Sequence, residues 1–416
     1  MKILVVGSGA REDAICQSLL KNPNNVVFCA PGNDGMKLNG IKTISIDEDE
    51  FDHLASFAET NAIDYTIVGP EEPLVNGIGD FFKRKKLPIF GPIKEGAQIE
   101  GSKVFTKKIM RSAHIPTANY QKFTKLEQAE KYLEKVDFPI VIKADGLAAG
   151  KGVYISPDRT DALMKVKSLL ENHKFNTKKI IIEEYLEGEE FSLMAFVDHK
   201  RFYPMPLAQD YKKIFDGDEG LNTGGMGAVC PVENISLEIE EKAIETVLEP
   251  FVKEIHHQGI KYTGILYAGL ILTKKGIKVI EFNARFGDPE TEVVLPRLKS
   301  DLSEVLWSMI NHKKVNLKWQ KTGLNLGVFA VSQGYPVKSI FGELGSSEEF
   351  KNCPLSINYA GVRKENHQLI SNGGRLYLMQ TKAKSLAEAQ QQIYFNLDKM
   401  KQDNIFYRRD IGKNSI

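Results

Sequence analysis

The sequence predicts a multidomain protein in which an open parallel α/β domain is followed by α+β domains. Strand and helix patterns alternate over residues 1–92, and such alternation is typical of a parallel sheet with crossover helices. Residues 121–186 follow the order β-α-β-β-α-β, which predicts a small, self-contained α+β unit. At 416 residues the chain is also too long for one core, because single cores stop growing beyond about 300 residues.

The composition disfavours several kinds of partner. The 55 Lys and Arg residues balance 54 Asp and Glu residues, and a net charge of +1 gives no support for a nucleic-acid or anionic-membrane partner. The four cysteines lie far apart and form no Cys-x-x-Cys pair, which is typical of reduced thiols in a cytoplasmic protein. The sequence begins with a strand pattern rather than a signal peptide, and no apolar run approaches the roughly 20 residues of a membrane span. We therefore expect a cytoplasmic protein.

The N-terminal sheet is predicted to contain five strands joined by helices. The strand patterns cover residues 2–6, 26–29, 41–46, 65–68 and 88–90, and the helical patterns cover residues 10–20, 49–60 and 74–86. In open α/β sheets, ligands gather at the carboxyl ends of the strands. Glu71 follows one such end, where its carboxylate can bind ribose hydroxyl groups. The alternative is an acidic residue that favours the first turn of a helix.

The loop after the first strand, Gly7-Ser8-Gly9-Ala10-Arg11-Glu12, is not a dinucleotide fingerprint. That fingerprint needs a third glycine for close packing of helix and strand, and Glu12 stands at its position. One interpretation is a phosphate bound by Gly9 and Arg11, because free N–H groups and the helix dipole favour anions at a helix N-terminus. The alternative is a tight turn with nothing bound.

A glycine-rich hairpin at residues 137–153 is a strong signal for nucleotide binding. A buried strand pattern leads to Lys143, and a second strand pattern begins at Val153. The loop between them includes Gly146, Gly150, Lys151 and Gly152. Glycines let the backbone approach an anion closely and present successive N–H groups to it. We predict a lid over nucleotide phosphates; the alternative is an ordinary hairpin with solvated lysines. A Walker loop is excluded because a strand, not a helix, follows.

Five glutamates crowd residues 183–190, where the last strand of the α+β unit ends. Free backbone groups at Tyr185 and Leu186 can pair with the edge of an adenine, and neighbouring carboxylates can accept from its amino group or from ribose hydroxyls. The segment is therefore a candidate adenosine site. The alternative is a solvated acidic turn.

A strand predicted over residues 278–282 leads into Arg-Phe-Gly-Asp-Pro-Glu. Because side chains alternate along a strand, Val279, Glu281 and Asn283 are predicted to share one face, with Ile280 and Phe282 on the apolar face. A carboxylate and an amide oxygen on one face suit a hard cation such as Mg²⁺, which bridges to phosphate. The alternative is the polar surface of an edge strand.

Three further stretches complete the organisation. Residues 93–116 are predicted as one helix that carries Lys103. Within the larger sheet that starts near residue 191, Asp210 precedes a second glycine-rich loop over residues 222–227. The tail from about residue 323 has strands and a helix of its own but no catalytic cluster, so we predict that it packs against the body and encloses the substrate.

Five of these stretches together resemble the ATP-grasp ligases and, within that superfamily, the phosphoribosylamine–glycine ligase family of purine biosynthesis. The resemblance covers essentially the whole chain. Its most specific parts are residues 99–103, 141–152, 183–190, 222–227 and 281–290.

The resemblance implies an ATP-grasp fold with four parts. These are an N-terminal open parallel α/β domain over residues 1–100, a central catalytic domain over 101–120 and 187–322, a small mobile lid over 121–186, and a C-terminal α+β domain over 323–416.

The resemblance also implies a reaction. Glycine is joined to 5-phosphoribosylamine through a glycyl phosphate intermediate, and ATP becomes ADP and phosphate. The product is glycinamide ribonucleotide. The implied cofactors are ATP and Mg²⁺ or Mn²⁺, the partners are small molecules, and a monomer is compatible with the sequence.

Three alternatives stay open at this point. The nearest is another carboxylate–amine ligase, or a carboxylase, of the same fold. A dinucleotide-dependent oxidoreductase is disfavoured by Glu12. A non-catalytic nucleotide sensor would not need Glu281, Asn283 and Arg285 together.

The roles of individual residues are likewise implied by the resemblance. ATP is held by Lys103, Lys143, Gly146, Gly150, Lys151, Gly152, Glu183, Glu184, Tyr185, Leu186 and Glu190. The substrates are bound by Gly9, Arg11, Glu71, Asp210, Gly224, Gly225 and Arg285, and the metal by Glu281 and Asn283. Among these, three are catalytic. Lys143 neutralises charge, Arg285 steadies the transferring phosphoryl group, and Asp210 holds the glycine ammonium group.

The sequence departs from the usual pattern of the family on the expected substrate side. Asp13 and Tyr211 stand where histidines are usual, Lys213 replaces an arginine, and Leu221 replaces a proline. Two imidazole groups are therefore missing. Lys213 also lacks the planar bidentate fork of an arginine.

Overall fold

The computed structural model describes residues 1–148, 151–400 and 402–413. Gly150, one of the predicted phosphate-loop glycines, lies outside the described residues. In the part of the chain that is described, no helix is both long and apolar enough to cross a membrane.

The N-terminal part is an open parallel sheet, as predicted. Its elements are β1 (Lys2–Gly7), α1 (Ala10–Leu20), β2 (Val26–Pro31), β3 (Lys42–Thr43), α2 (Phe51–Thr60), β4 (Tyr65–Val68), α3 (Glu71–Asn76), α4 (Ile78–Arg84) and β5 (Ile89–Phe90). The strand order is β3-β2-β1-β4-β5. The single helix predicted over residues 74–86 is instead two helices, because Gly77 adopts a left-handed φ of 99° between them. Since β1 and β4 are neighbours, Gly9 and Glu71 follow adjacent strand ends.

Two helices, α5 (Lys94–Gly101) and α6 (Lys103–Ser112), follow the sheet. The single helix predicted over residues 93–116 is wrong, because the chain is extended at Ser102, with φ −142° and ψ 110°. The Ser102 hydroxyl accepts the N–H of Phe105 and so caps α6. Lys103 is therefore the first residue of α6, and Lys107 lies four residues later on the same helix face.

The lid segment, residues 121–186, contains the predicted β-α-β-β-α-β order. Its elements are β6 (Tyr120–Phe123), α7 (Leu126–Leu133), β7 (Ile140–Ala144), β8 (Val153–Ser156), α8 (Arg159–Leu170) and β9 (Ile180–Glu184). The strands form an antiparallel sheet in the order β6-β9-β7-β8. Both helices pack on this sheet and enclose a hydrophobic core that consists of lid-segment residues only.

The central part is built around a second antiparallel sheet. Its elements are β10 (Glu189–Asp198), β11 (Arg201–Pro204), β12 (Gln209–Asp210), β13 (Lys213–Phe215), β14 (Glu219–Asn222), β15 (Gly227–Cys230), α9 (Leu237–Ala243), α10 (Glu249–His257), β16 (Thr263–Thr273), β17 (Gly276–Asn283), α11 (Glu290–Val294) and α12 (Leu302–Ile310). The strand order of the sheet is β11-β10-β16-β17. The strands β13 and β14 form a separate short hairpin.

The C-terminal part contributes β18 (Leu324–Ser332), β19 (Glu343–Ser346), α13 (Ser347–Lys351), β20 (Ser356–Tyr359), β21 (Val362–Glu365), β22 (Gln368–Ser371), β23 (Arg375–Ala383), α14 (Leu386–Lys399) and β24 (Ile405–Phe406). Its main sheet has the order β12-β15-β18-β23-β20, and β24 also pairs with β18. Two strands that precede residue 323 therefore belong to the C-terminal sheet. Asp210 in β12, and the glycine loop before β15, are consequently held by the C-terminal part of the chain.

Candidate active site

Two adjoining cavities form one cleft between the lid segment and the central sheet. The inner cavity, of about 120 Å³, is lined by residues that include Lys103, Lys107, Lys143, Gly146, Gly152, Glu281, Asn283 and Arg285. The outer cavity, of about 200 Å³, is lined by residues that include Glu184, Tyr185, Leu186, Glu190, Lys212 and Thr223. The two share a wall made of Lys143, Val153, Glu183, Ile280 and Glu281. The cleft is therefore continuous from the 183–186 segment to the strand that carries Glu281.

The glycine hairpin is fastened to the start of α6. The Lys103 ammonium donates to the Gly146 carbonyl at 3.2 Å. The Asp145 carboxylate accepts from the Val104 N–H and the Ser102 hydroxyl, each at 3.1 Å. Gly146 has a φ of 133°, a conformation that favours glycine. Burial lowers the pKa of Lys103, and the Glu281 carboxylate opposes this effect.

The Glu183 carboxylate forms buried ion pairs with two lysines. Its carboxylate lies 2.8 Å from Lys107 and 2.7 Å from Lys143, and all three side chains are almost fully buried. Burial opposes ionisation of Glu183, but the two ammonium groups outweigh burial and lower its pKa. Its oxygens face the lysines, so the sequence-based idea that this carboxylate accepts from an adenine amino group does not match the geometry. Glu184 is also bonded, to Lys278 at 2.6 Å.

A β-bulge at Ile280 changes the predicted face of β17. Gly269 pairs with Glu281 and Leu270 pairs with Val279, so Ile280 is an extra residue in the ladder. The alternation therefore shifts by one position. Val279 and Phe282 both pack in the same hydrophobic core, and the prediction that Val279 shares the face of Glu281 is wrong. Glu281 and Asn283 still face the cleft together.

The pair Glu281 and Asn283 fits a hard divalent cation. In the described residues, neither side chain forms a hydrogen bond or an ion pair with another, so their oxygens are available to a ligand. Carboxylate and amide oxygens are ligands that Mg²⁺ accepts, usually together with waters and phosphate oxygens. Lys103 and Lys143 line the same cavity and would hold the phosphates that complete such a site.

Arg285 ties the end of this motif to the N-terminal sheet. Its guanidinium lies 3.0 Å from Glu71, at the end of β4, and 3.0 Å from Glu100 in α5. Burial raises the pKa of Glu71, but Arg285 and Arg11 outweigh that effect, and the net pKa is about 2. Glu71 is thus an ionised partner of Arg285 in this structure.

The Asp210 side chain is largely buried behind the glycine loop. Its Oδ1 atom is buried with no hydrogen-bond partner among the described residues. Its Oδ2 atom is 3.9 Å from the Lys212 ammonium, which is also 2.9 Å from Glu190. Burial raises the pKa of Asp210 well above its ordinary value, although Lys212 opposes this effect. The free Oδ1 is an acceptor for a small cationic group.

The glycine loop closes tightly over Asp210. A β-carbon on Gly225 would lie 2.4 Å from a ring carbon of Pro289 and 2.8 Å from Asp210 Oδ1, and the φ of Gly225 is 106°. The carbonyl of Gly224 accepts from Arg375, whose guanidinium also lies 2.6 Å from Asp288. The loop geometry therefore depends on β23 of the C-terminal part.

A group of buried acids adjoins Asp210. Glu290 accepts from the Ser192 hydroxyl at 2.8 Å and from the Tyr267 hydroxyl through the same oxygen. Its second oxygen, and both oxygens of Glu292, are buried with no hydrogen-bond partner among the described residues. Burial raises the pKa of Glu292, and repulsion by Asp288 adds to it. These acids line neither cavity of the cleft, but they place negative charge next to Asp210.

The first loop is arranged differently from an open phosphate site. The N–H of Gly9 donates to the Glu12 carboxylate at 2.7 Å, so this amide is occupied within the loop. Arg11 lies 2.6 Å from Glu12 and also donates to the Phe286 carbonyl at 3.3 Å. Arg11 thus turns toward the Arg285 motif rather than toward solvent.

A separate group, Asp198, His199 and His312, has ligand atoms close enough to share an ion. It lies at the end of β10 remote from Glu190 and contains neither Glu281 nor Asn283. Asp198 is already bonded to His312 at 2.7 Å and to the Arg201 guanidinium. A cation there would meet that fixed positive charge.

Comparison with known proteins assigns this architecture to a family. Models of the phosphoribosylglycinamide synthetase N, ATP-grasp (A) and C domains match residues 1–100, 101–291 and 325–414. The chain belongs to the phosphoribosylglycinamide synthetase family. A phosphoribosylamine–glycine ligase of Lactococcus lactis is 47% identical over 420 residues, with both chains covered completely. One of Listeria innocua is 45% identical, with 99% of each chain covered.

Solved structures agree with this family. The phosphoribosylamine–glycine ligase of Thermotoga maritima superimposes with a TM-score of 0.85 at 31% identity, over 99% of this chain and 100% of that one. A biotin carboxylase domain of Hydrogenobacter thermophilus, described in complex with MgADP and bicarbonate, reaches a TM-score of 0.75 at 14% identity, over 97% of this chain and 91% of that one. The second likeness is one of fold alone. The predicted ATP-grasp fold is thereby confirmed.

The cleft brings together most of the predicted residues. Lys103, Lys143, Gly146, Gly152, Glu281, Asn283, Arg285 and Glu71 line the inner cavity, and Tyr185, Leu186 and Glu190 line the outer one. The loop with Gly224 and Gly225 lies against Asp210, and Lys212, which lines the outer cavity, is 3.9 Å from Asp210 Oδ2. Lys151 is exposed and lines neither cavity. Gly9 and Arg11 line neither cavity: Gly9 donates to Glu12, and Arg11 donates to the carbonyl of Phe286, next to Arg285.

Several residues of the site were not found from the sequence, among them Lys107, Glu100, Arg375, Glu292 and Lys212. Lys107 could have been found, because it lies one helical turn after Lys103 on the same face of α6. Glu100, Arg375 and Glu292 carry no local signal of their own. Glu100 and Arg375 belong to the site through ion pairs with residues distant in the sequence: Glu100 pairs with Arg285, and Arg375 pairs with Asp288.

Proposed function

We propose that the chain is an ATP-dependent ligase that joins glycine to 5-phosphoribosylamine and yields glycinamide ribonucleotide, ADP and phosphate. Full-length relatives carry the name phosphoribosylamine–glycine ligase, and the family match spans all three domains. The single observation that carries the proposal is the convergence of Lys103, Lys143, Glu281 and Arg285 on one cavity. This cavity combines positive charge for phosphate with oxygen ligands for a cation.

The nucleotide is proposed to lie along the cleft with its adenine in the outer cavity. Tyr185 and Leu186 follow the last paired strand of the lid segment, so their backbone groups are candidates for the adenine edge. The phosphates then reach the inner cavity, where Lys103, Lys143 and the Gly146 loop converge. The four-part domain division, with residues 121–186 as a lid, belongs to this proposal.

Glu281 and Asn283 are proposed to hold the divalent cation, Mg²⁺ or Mn²⁺. When bound, the cation neutralises phosphate charge. The residues around it do the positioning. Lys143 is held by Glu183 and by the Ile280 carbonyl, 2.9 Å from its ammonium, so its approach to a phosphate is fixed in direction.

The chemistry needs an activated carboxyl group, because oxide is too poor a leaving group for direct attack by an amine. A glycine carboxylate oxygen attacks the γ-phosphorus of ATP, the bond to the bridging oxygen breaks, and ADP leaves. The amine of phosphoribosylamine then attacks the glycyl carbon, loses a proton, and phosphate departs with the electron pair of its C–O bond. Positioning and charge stabilisation supply most of the catalysis in such transfers.

Arg285 and Asp210 are proposed to orient glycine. Arg285 steadies the transferring phosphoryl group from its fixed place between Glu71 and Glu100. Asp210 Oδ1 accepts from the glycine ammonium group, which relieves a buried, unpaired oxygen. Glu71, Arg11 and Gly9 belong to the phosphoribosylamine side. A cytoplasmic location and small-molecule substrates alone, without nucleic acid or membrane, accord with this reaction.

A coupled assay of ADP release tests the proposal. We expect release that requires both glycine and freshly generated phosphoribosylamine, and formation of glycinamide ribonucleotide in equal amount. Release that needs another carboxylate or amine would indicate a different ligase of the same fold, and release stimulated by bicarbonate would indicate a carboxylase. Nucleotide binding without turnover in any of these mixtures would overturn the proposal.

A further inference from the structure

Lys107 is a third lysine at the base of the nucleotide cleft. Its ammonium lies 2.8 Å from Glu183 and donates to the Thr117 hydroxyl at 2.8 Å. The side chain is only 4% exposed, and the residue lines the inner cavity beside Lys103 and Lys143. A lysine in such a place has an energetic cost, because burial disfavours its charged form. Its retention in charged form depends on Glu183.

The charges around Glu183 do not cancel. One carboxylate faces two ammonium groups, Lys107 and Lys143, so the group of three carries one net positive charge. If Lys107 were absent, Glu183 and Lys143 would form a neutral pair of their own. Lys143 would still lie in the cavity, but its attraction for an anion would be offset by the carboxylate 2.7 Å away.

Lys107 also occupies a junction between the central part and the lid segment. It lies on α6, whereas Glu183 is on β9 and Lys143 is on β7 of the lid segment. Lys143 in turn donates to the carbonyl of Ile280, and Thr117 donates to the carbonyl of Val279 at 2.7 Å. These two carbonyls lie at the bulge that precedes Glu281. The lysine on α6 is therefore connected by hydrogen bonds to the strand of the proposed metal ligands.

We propose that Lys107 is a positioning residue that takes up the charge of Glu183, so that Lys143 keeps its own charge for a nucleotide phosphate. This inference rests on the proposed nucleotide site. It assigns to Glu183 the role of holding two lysines, and to Lys107 an effect on nucleotide affinity that acts through Lys143 rather than by contact with ATP.

Calorimetric titration with ADP and Mg²⁺ tests this role without any ligase turnover. Lys107→Met keeps most of the length of the side chain and removes the charge, and we expect ADP affinity to fall by about tenfold or more. Lys107→Gln can still bond to Thr117 and Glu183, so a purely structural role predicts near-normal affinity, whereas the charge role predicts a loss like that of methionine. Lys108→Met is the matched control, because Lys108 is exposed on the same helix and lines neither cavity of the cleft.

The double variant Lys107→Met/Glu183→Gln separates the proposed route from direct contact. If Lys107 acts through Glu183, removing the carboxylate restores much of the affinity lost in Lys107→Met. A double variant as weak as Lys107→Met, or weaker, would overturn the inference, and so would normal affinity in both single variants at Lys107. Thermal unfolding checks that each variant is folded. If Lys107→Met does not fold, Lys107→Gln replaces it in both the single and the double variant. Failure of the wild-type protein to bind ADP would instead defeat the proposed nucleotide site itself.

Discussion

Arg285 lies 3.0 Å from Glu71, although 214 residues separate them in the chain. Glu71 follows a strand of the N-terminal sheet, and Arg285 follows the strand that carries Glu281 and Asn283. One ion pair thus joins the proposed phosphoribosylamine side of the site to the proposed metal side. Glu100 binds the same guanidinium from α5 and also accepts the N–H of Ala284 at 2.9 Å.

Replacing this arginine by lysine should impair turnover while the protein remains folded. Arg285→Lys keeps the charge but loses the planar fork that reaches Glu71 and Glu100 at once. We expect ADP release with all substrates present to fall by about 100-fold, as for loss of a preorganised charge-stabilising group. Arg159→Lys is the control, since Arg159 forms an exposed pair with Glu134. Turnover of Arg285→Lys close to that of the control would argue against a catalytic role.

Replacing Glu281 by glutamine should abolish the proposed metal site with little change in shape. Turnover should fall by several orders of magnitude, because charge stabilisation by a bound metal is worth several kcal/mol. Binding of Mn²⁺ in the presence of ADP, measured by water proton relaxation, should weaken in parallel. Glu245→Gln, on the exposed surface, controls for loss of a carboxylate. A fully active Glu281→Gln variant would redirect attention to Asp288 and Glu290.

Isotope transfer should reveal the acyl phosphate. Glycine labelled with ¹⁸O in its carboxyl group should pass one labelled oxygen to inorganic phosphate for each amide formed, because that oxygen bridges carbon and phosphorus in glycyl phosphate. Mass spectrometry of the phosphate measures the transfer. Unlabelled phosphate, formed while labelled amide accumulates, would eliminate the intermediate.

Nucleotide should reduce hydrogen exchange at the base of the lid segment. Asp145 and Gly146 connect the glycine hairpin to α6 through Ser102, Val104 and Lys103. Closure around ATP and Mg²⁺ excludes water, so peptides that cover residues 143–148 should exchange more slowly than in the free protein. Peptides from α8 serve as an internal reference. Equal exchange in both states at residues 143–148 would mean that the segment does not respond to nucleotide.

The stability of the protein should depend on the ionisation of Asp13. Burial raises the pKa of this carboxyl to about 7, even though Gln17, Asn39 and the Tyr359 N–H bond to it. A raised carboxyl pKa means that the protonated form favours the folded state. Asp13 therefore costs stability progressively as pH rises from about 4 to about 7, and the cost is constant above that.

The variant Asp13→Asn tests this pH dependence. It carries no titrating group, so the difference in free energy of unfolding between Asp13→Asn and wild type should shift in favour of the variant as pH rises to about 7. Urea titrations at pH values of about 4, 5, 6, 7 and 8 measure that difference across the range in which Asp13 titrates. A difference that is the same at every pH would show that Asp13 does not titrate in this range.

The strands and motifs with local patterns were predictable. The parallel sheet and the lid segment follow from alternating periodicities, and Lys143, Glu281 and Asn283 stand in motifs that require their chemistry. The side of the strand on which Val279 lies was not predictable, because the β-bulge depends on pairing with the neighbouring strand and the sequence of the bulged strand does not indicate it. The break at Ser102 was missed, although Gly101 and Ser102 are residues typical of a helix end and of an N-cap.

Long-range pairings account for the rest. Glu183 was expected to meet adenine, since nothing in its own stretch indicates that Lys107, 76 positions earlier, approaches its carboxylate. No local motif indicates the role of Arg375 either, although its guanidinium connects Gly224 to Asp288. Such roles arise only when sheets from different parts of the chain are assembled, as when β12 and β15 join the C-terminal sheet.

The hydrophobic core of the lid segment is its own, whereas its ties to the central part are polar ones such as Glu183 to Lys107 and Glu184 to Lys278. The proposed outward movement of the segment would leave that core intact, so its free-energy cost would be mainly that of exchanging ionic contacts for water. Dissolved salt screens the more exposed pair of Glu184 and Lys278, has little effect on the buried pair of Glu183 and Lys107, and weakens the attraction of the cleft for a polyanion. In the proposed opening of this segment, ionic strength therefore affects both an exposed ion pair of the segment and the attraction of the cleft for nucleotide, so the salt concentration influences how readily nucleotide is captured and released.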